Sequence, residues 1–87
     1  MKRVQVCIKR LKEDPEHIID RCEILYNILE EYISEHGSIT IITMEGHQVV
    51  IYKIGILFDD CFIRYCDNLN KVIDKTLDLR NIQEVIE

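Results

Sequence analysis

Four cysteines are the residues of this chain most suited to chemistry, because thiols bind zinc, form disulfides and act as nucleophiles. They are Cys7, Cys22, Cys61 and Cys66. No two of them form a Cys-x-x-Cys pair, and Cys61 and Cys66, five residues apart in a predicted strand, face opposite sides. Cys22 lies on the apolar face of a predicted helix, where a thiol packs as a small hydrophobic group. We therefore expect no metal site and, without a secretion signal, no disulfide.

The histidines and carboxylates form no catalytic pattern either. His17 and His36 lie near the ends of the predicted helix, and His47 lies in a predicted turn. Asp59 and Asp60 are adjacent carboxylates, but a solvated turn accounts for them. The chain has only three glycines, and they are spread apart, so no phosphate-binding loop is present. These patterns predict a protein that is not an enzyme and that uses no cofactor.

Charge is distributed unevenly along the chain, whose net charge is −5. Residues 1–12 carry +5 without any acidic residue, whereas residues 13–36 carry −7. The acidic total argues against a domain that binds nucleic acid over its whole surface. The basic segment either neutralises the acidic helix or forms an arm that binds phosphate or an acidic partner. The candidate nucleic-acid contacts are Lys2, Arg3, Lys9, Arg10, Lys53 and Arg64.

The basic segment, residues 1–12, has the pattern of a strand. Apolar and polar residues alternate in it, and Val4, Val6 and Ile8 fall on one side. Its lysines suit an unpaired edge strand. We therefore predict an extra N-terminal strand before the first helix.

The acidic segment has the pattern of a long helix. Asp14 and Pro15 are typical of a helix start, and Gly37 is typical of the residue just past a helix end. Between them apolar residues recur every three or four positions. A helix is therefore predicted over residues 14–36.

The remaining half of the chain, residues 38–87, has the shorter period of β-strands. The predicted strands are residues 38–44, 48–58, 61–66, 72–79 and 82–86. A hairpin turn is predicted at Glu45 and Gly46, and a second turn or loop at residues 67–70. The second of them contains Gly55, and a glycine inside a strand marks a bulge or a sharp bend. Short strands with a bent second strand predict a small five-stranded barrel, closed to protect its edges. The predicted fold class is α+β in a single domain: one long N-terminal helix packed on a small, strongly bent antiparallel barrel, with an extra N-terminal strand.

Three stretches of this half share a pattern with a known family. They are Ile39-Thr-Ile-Ile-Thr-Met-Glu-Gly46, Gly55-Ile-Leu-Phe-Asp-Asp-Cys-Phe-Ile63 and Leu79-Arg-Asn-Ile-Gln-Glu-Val85. They resemble the Sm-like superfamily of small SH3-like barrels, of the Hfq and Rof type. The resemblance implies a helix followed by five bent strands, and a function in binding RNA or protein. Where the Hfq type carries a Tyr-Lys-His motif for uridine, this chain has Leu79-Arg80-Asn81, so the resemblance supports the fold more than RNA binding.

The predicted helix carries apolar residues on more than one face. Its main apolar arc is wide enough to cover a sheet face, but Ile24 and Ile28 lie outside that arc among charged residues. A helix of ~22 residues spans ~33 Å, whereas strands of ~17–20 Å are typical. We therefore predict that a stripe of Ile24, Ile28 and Tyr32 contacts a partner, helix to helix, in a homo-oligomer.

Two functions from different classes follow from these patterns. The first is a small non-enzymatic interaction module that associates with itself and binds a protein partner, with a regulatory role. The alternative is an RNA-binding Sm-like protein that uses the basic N-terminal strand. Hydrophobic runs of about ten residues fall short of the ~20 that span a bilayer, and no signal peptide is visible. We therefore expect a cytoplasmic protein without membrane contact.

Overall fold

The computed structural model describes residues 3–68 and 72–86. The elements are α1 Arg3–Glu13, a 3₁₀ turn Pro15–His17, α2 Ile18–His36, β1 Ile39–Thr43, β2 Gln48–Ile51, β3 Lys53–Phe58, β4 Phe62–Cys66, β5 Lys75–Asp78, a 3₁₀ turn Leu79–Asn81 and β6 Ile82–Ile86. The α+β class and the long helix are therefore confirmed. Lys2 lies outside the described residues, as do Leu69 and Asn70 of a predicted turn.

The N-terminal segment is a helix, and the strand predicted for it is wrong. The buried residues of α1 are Val4, Cys7, Ile8 and Leu11, which follow the three- and four-residue spacing of one helix face. Val4 and Ile8, four positions apart, fit both a strand and a helix, and it is the burial of Cys7 and Leu11 that distinguishes the two. As a helix the segment satisfies its backbone hydrogen bonds internally and packs against α2 and β6.

α2 begins a few residues later than predicted. Pro15–His17 forms a 3₁₀ turn, and the α-helix starts at Ile18. Asp14 makes no side-chain capping bond to the backbone. Its carboxylate instead accepts hydrogen bonds from the side chains of His17 and Arg21. The helix start is therefore secured by side chains on its first turns.

α2 ends where the sequence predicts. Gly37 has a left-handed φ of 89°, and its N–H donates to the carbonyl of Ile33 at 2.7 Å. Glycine adopts this conformation without a Cβ clash, so the predicted role of Gly37 is confirmed. Along the helix Cys22, Leu25 and Leu29 are fully buried and face the sheets.

The strands form two antiparallel three-stranded sheets, so the closed barrel predicted from the sequence is wrong. The strand order is β2-β1-β6 in one sheet and β3-β4-β5 in the other. The long predicted strand, residues 48–58, divides at Tyr52, whose N–H donates to the carbonyl of Cys66 at 2.9 Å. Its first half stays in one sheet and its second half joins the other. Within the described residues no ladder joins the outer strands of the two sheets.

Two glycines lie at the irregularities predicted for them. The β3–β4 register shifts between Ile54 and Leu57, which flank Gly55. A Cβ on Gly55 would lie 3.1 Å from Cγ2 of Ile73, so a larger residue fits there only if the Ile73 side chain shifts by a few tenths of an ångström. Gly46 has a φ of 85° in the turn that joins β1 to β2. The predicted bulge and the predicted turn are both confirmed.

The end of the chain agrees with the prediction at β6 and differs at β5. The last predicted strand, residues 82–86, is β6, while β5 begins at Lys75 and is shorter than predicted. A single apolar cluster joins residues of both helices and both sheets, with Ile8, Leu25, Ile41 and Ile63 among its buried members. The helices therefore have defined positions over the sheets, and a groove is left between them.

Candidate protein-binding groove

α1 and α2 enclose an open groove of about 380 Å³. The lining residues from α1 are Arg3, Val6, Cys7 and Arg10, and those from α2 are Arg21, Ile24 and Ile28. Each set recurs at helical spacing, so each lies along one side of its helix. The groove therefore follows directly from the packing of two amphipathic helices.

The floor of the groove is apolar and partly open to solvent. Val6 and Ile28 are half-buried, and Ile24 keeps 45% of its surface exposed. Exposed apolar side chains in a concave, charged setting are typical of a binding surface rather than of scattered surface residues. α1 lies against the face of α2 that we expected to meet a second copy, and it leaves part of that face uncovered.

Three guanidinium groups surround this apolar floor. Arg3 pairs with Glu31 at 3.1 Å, and both side chains are more than half exposed, so the pair stabilises the fold little. Arg21 pairs with Asp14 at 3.2 Å. Arg10 makes no ion pair with any residue in the described part of the chain. The rim of the groove therefore attracts anionic groups.

A compact ion-pair cluster lies at one end of the groove, around Asp14. His17 Nδ1 lies 2.9 Å from one carboxylate oxygen of Asp14, and Arg21 donates to the other oxygen through Nε and an Nη group. The hydrogen bond with His17, followed by that with Arg21, lowers the pKa of Asp14 below its ordinary value. Two hydrogen bonds to Asp14 therefore orient the guanidinium of Arg21, a residue that also lines the groove.

The groove brings together residues that the sequence predicts for two different functions. Ile24 and Ile28, predicted as a protein interface, line the same groove as Arg3 and Arg10, predicted as nucleic-acid contacts. Tyr32 is half-buried against the core and does not line the groove. Its ring lies 4.3 Å from the ring of His36, measured between centroids.

The other basic residues lie elsewhere. Lys9 is on the exposed side of α1 and approaches Glu13 at 3.9 Å. Lys53 and Arg64 belong to β3 and β4, and Lys2 lies outside the described residues. Of the described basic residues predicted as one nucleic-acid surface, Arg3 and Arg10 therefore share the groove, whereas Lys9, Lys53 and Arg64 lie outside it.

Val6 and Arg21 line the groove, and neither is among the site residues that the sequence predicts. The predicted strand places Val6 on its buried side, and Arg21 belongs to the charged face of the predicted helix. If residues 3–13 are interpreted as a helix, helical spacing places Val6 on the same face as Arg3 and Arg10, and this would have identified Val6.

A second surface, on the β3–β4 sheet, combines aromatic rings with guanidinium groups. The rings of Phe58 and Phe62, on paired positions, lie 5.8 Å apart. Arg64 covers the ring of Phe58 at 5.5 Å, and Arg80 covers that of Phe62 at 5.7 Å. Asp78 holds Arg80 through a 2.8 Å ion pair. The two rings and two guanidinium groups form a cation–π cluster on the outside of the sheet.

No group of three or more His, Cys, Asp or Glu side chains among the described residues is placed to hold a metal ion. The helices in the described ranges are also too short or too polar to cross a membrane.

Comparison of the chain with protein-family models, with curated proteins and with solved structures finds no match. The groove between α1 and α2, with its exposed apolar floor and basic rim, is the strongest candidate for a functional site.

Proposed function

We propose that this protein is a non-enzymatic interaction module that binds an acidic, amphipathic helix in the groove between α1 and α2, and that a second copy of the chain supplies such a helix. The observation that carries the proposal is the combination of an exposed apolar floor at Ile24 with the guanidinium of Arg10, which forms an ion pair with none of the described residues. A partner that buries the isoleucine and neutralises the arginine satisfies both groups.

α2 itself has the chemistry that the groove requires. Asp20, Glu31 and Glu35 are exposed and stand four, seven and eleven positions from Ile24, so they lie on the same face of the helix. The α2 face of one copy is therefore apolar at its centre and acidic around it. In a two-fold arrangement this face meets the basic α1 rim of the partner copy, and the partner's face meets its own rim.

Self-association is tested by the mass of the protein in solution. We expect a dimer at a protein concentration of about 100 μM, measured by light scattering or sedimentation. Ile24→Glu places a carboxylate on the apolar floor, and Arg10→Glu reverses the charge of the rim, so each variant should be monomeric. Rising salt should weaken the dimer, because the charged rim is exposed.

Ile56→Glu is the matched control. Ile56 is 61% exposed but lies on β3, outside the groove, so this variant should remain dimeric. Circular dichroism would check that all variants are folded. A monomeric wild type, or an Ile24→Glu variant with the mass of the wild type, would contradict self-association through this groove.

The Sm-like architecture belongs to the same proposal. It is supported by the order of the strands, since β1 pairs with both β2 and the last strand, and by the bent passage at Tyr52 from one sheet to the other. In this proposal the Sm-like part is the scaffold that carries α1 and α2, and the helices carry the binding surface.

RNA binding is the second candidate, and the β3–β4 surface favours it. Aromatic rings combined with arginine bind single-stranded nucleic acid by stacking and charge, and Phe58, Phe62 and Arg64 supply both. Electrophoretic shifts with uridine-rich and adenine-rich oligomers over a salt series would test it, because phosphate contacts weaken steeply with salt. Binding at about 0.15 M salt that Arg64→Glu abolishes and Arg10→Glu leaves intact would favour RNA over the protein partner.

A further inference from the structure

Two cysteines that are far apart in the sequence lie side by side in the core. Sγ of Cys22, in α2, is 2.7 Å from Sγ of Cys61, the last residue of the β3–β4 turn. Both residues are buried, with exposed fractions of 0% and 3%, and both thiols are free. Two non-bonded sulfur atoms rarely approach so closely, and a short movement separates them from bonding distance.

The backbone on each side of the pair is firmly held. Cys22 lies within α2, between the fully buried Leu25 and the helix start. Cys61 follows Asp59 and Asp60, which have left-handed φ values of 48° and 70°. The N–H of Cys61 donates to the carbonyl of Asp59, and its own carbonyl accepts from the N–H of Leu79, each at 2.8 Å. The two thiols therefore face each other because of the fold, without dependence on a flexible segment.

We propose that Cys22 and Cys61 form an intramolecular disulfide when the protein meets a peroxide, and that this bond ties α2 to the β3–β4 turn. Cys61 is the thiol that reacts first, since its neighbours Asp59 and Asp60 are exposed while Cys22 is enclosed by the helix packing. This proposal is independent of the occupant of the groove.

The reaction balances with one molecule of hydrogen peroxide. The sulfur of Cys61, as thiolate, attacks one peroxide oxygen and breaks the O–O bond, which leaves a sulfenic acid and, after proton uptake, one water. The sulfur of Cys22 then attacks the sulfenic sulfur, its proton leaves with the hydroxide, and a second water forms. Two thiols are oxidised by two electrons, and the peroxide is reduced to two waters.

Burial controls the rate of this reaction. Burial, followed by the hydrogen bond with the Cys61 thiol, raises the pKa of Cys22 far above its ordinary value. Cys22 is therefore inert until Cys61 has been oxidised, and oxidant reaches Cys61 only when the β3–β4 turn opens locally. Slow formation under mild peroxide and strong protection once formed are the expected behaviour.

Peptide mapping of the full-length wild type tests the proposal. After treatment with hydrogen peroxide and alkylation under denaturing conditions, we expect a reducible cross-link between the peptides that contain Cys22 and Cys61. Cys7 and Cys66 should remain alkylated. The melting temperature should rise by roughly 10 °C and return on reduction, because the bond closes a loop between residues 39 positions apart.

Two variants distinguish this pair from a general effect of oxidation. Cys7→Ala removes another buried thiol and should still form the cross-link with the same rise in melting temperature. Cys61→Ala should retain three alkylated thiols after peroxide and show no rise. Four alkylated thiols in the treated wild type, a cross-link that uses Cys7 or Cys66, or a sulfinic acid on Cys61 without a cross-link would each overturn the proposal.

Discussion

Oε1 of Gln5 in α1 accepts a 2.9 Å hydrogen bond from the backbone N–H of Val85 in β6, eighty positions further along the chain. β6 is an outer strand of its sheet, since its only described ladder is with β1. The N–H of Val85 points away from that ladder, where another strand would otherwise bind it. α1 therefore covers this edge of the sheet. Two copies can associate through their helices more readily than through strand pairing at β6, because α1 occupies that edge.

The Gln5–Val85 bond is tested by Gln5→Ala. The variant leaves a half-buried N–H without its partner, so the free energy of unfolding should fall by about 1 kcal/mol in a urea titration. The amide of Val85 should also exchange faster with solvent. Gln83→Ala, an exposed glutamine on the same strand, is the control and should change stability by less than about 0.5 kcal/mol. Equal effects of the two substitutions would contradict a specific role for Gln5.

Ile8→Ala tests whether α1 is part of the hydrophobic core. Ile8 is 1% exposed, so the substitution should leave a cavity and lower the free energy of unfolding by about 2–5 kcal/mol. Ile56→Ala is the matched control, because Ile56 is 61% exposed and should tolerate the change. If both alanine variants unfold at the same denaturant concentration as the wild type, α1 is not part of the core.

Gly37→Ala tests the end of α2. A Cβ added at Gly37 would have no neighbouring atom within 4 Å, so any loss of stability reflects the left-handed φ of 89° and not a clash. We expect a loss of about 1 kcal/mol in thermal or urea unfolding. Gly37→Asn should recover part of it, because asparagine tolerates this conformation better than alanine. An asparagine variant less stable than the alanine variant would argue against this explanation.

Asp78→Asn tests the pH dependence of stability. Burial acts to raise the pKa of Asp78, but hydrogen bonds from the Arg80 side chain and backbone outweigh it, and the pKa is lowered overall. A carboxyl with a lowered pKa in the folded state stabilises the fold above its unfolded pKa, and this contribution is lost as pH falls through the folded value. At neutral pH the variant should therefore be less stable than the wild type, by about 1 kcal/mol.

The difference between Asp78→Asn and the wild type should vanish in acid, below the lowered pKa of Asp78. Urea titrations at several pH values measure it, and Asp74→Asn, an exposed residue of the preceding loop, is the control. A difference that persists unchanged at low pH would show that the ionised carboxylate is not responsible.

Local sequence is sufficient for the elements whose signals lie within a few residues of each other. Gly37 and Gly46 are predicted at a helix end and in a turn, because a left-handed backbone favours glycine whatever the rest of the chain does. The long helix follows from the residues at its two ends together with its apolar spacing. These signals affect the backbone conformation of only one or two turns, so they can be recognised in the sequence without the tertiary structure.

The sequence predicts some of the residues that line the groove, but not that they form one site. The sequence points to both Ile24 and Arg10, but for different functions, because nothing in it indicates that they face the same space. Residues 3–10 fit a strand as well as a helix, and the helix is favoured only once Cys7 and Leu11 have a core to enter. Val6 is missed for the same reason, and Arg21 is missed because nothing in the sequence places α1 beside it.

The sequence by itself determined the α+β class, the charge of each segment and the turns at Gly46 and at Asp59 and Asp60. The tertiary structure decided that the strands form two sheets, that α1 covers β6 through Gln5, and that Cys22 meets Cys61. Those outcomes depend on which apolar faces pack together across many tens of residues. Packing of this kind is a property of the whole core, because many side chains must be buried at once and no single short pattern specifies the arrangement.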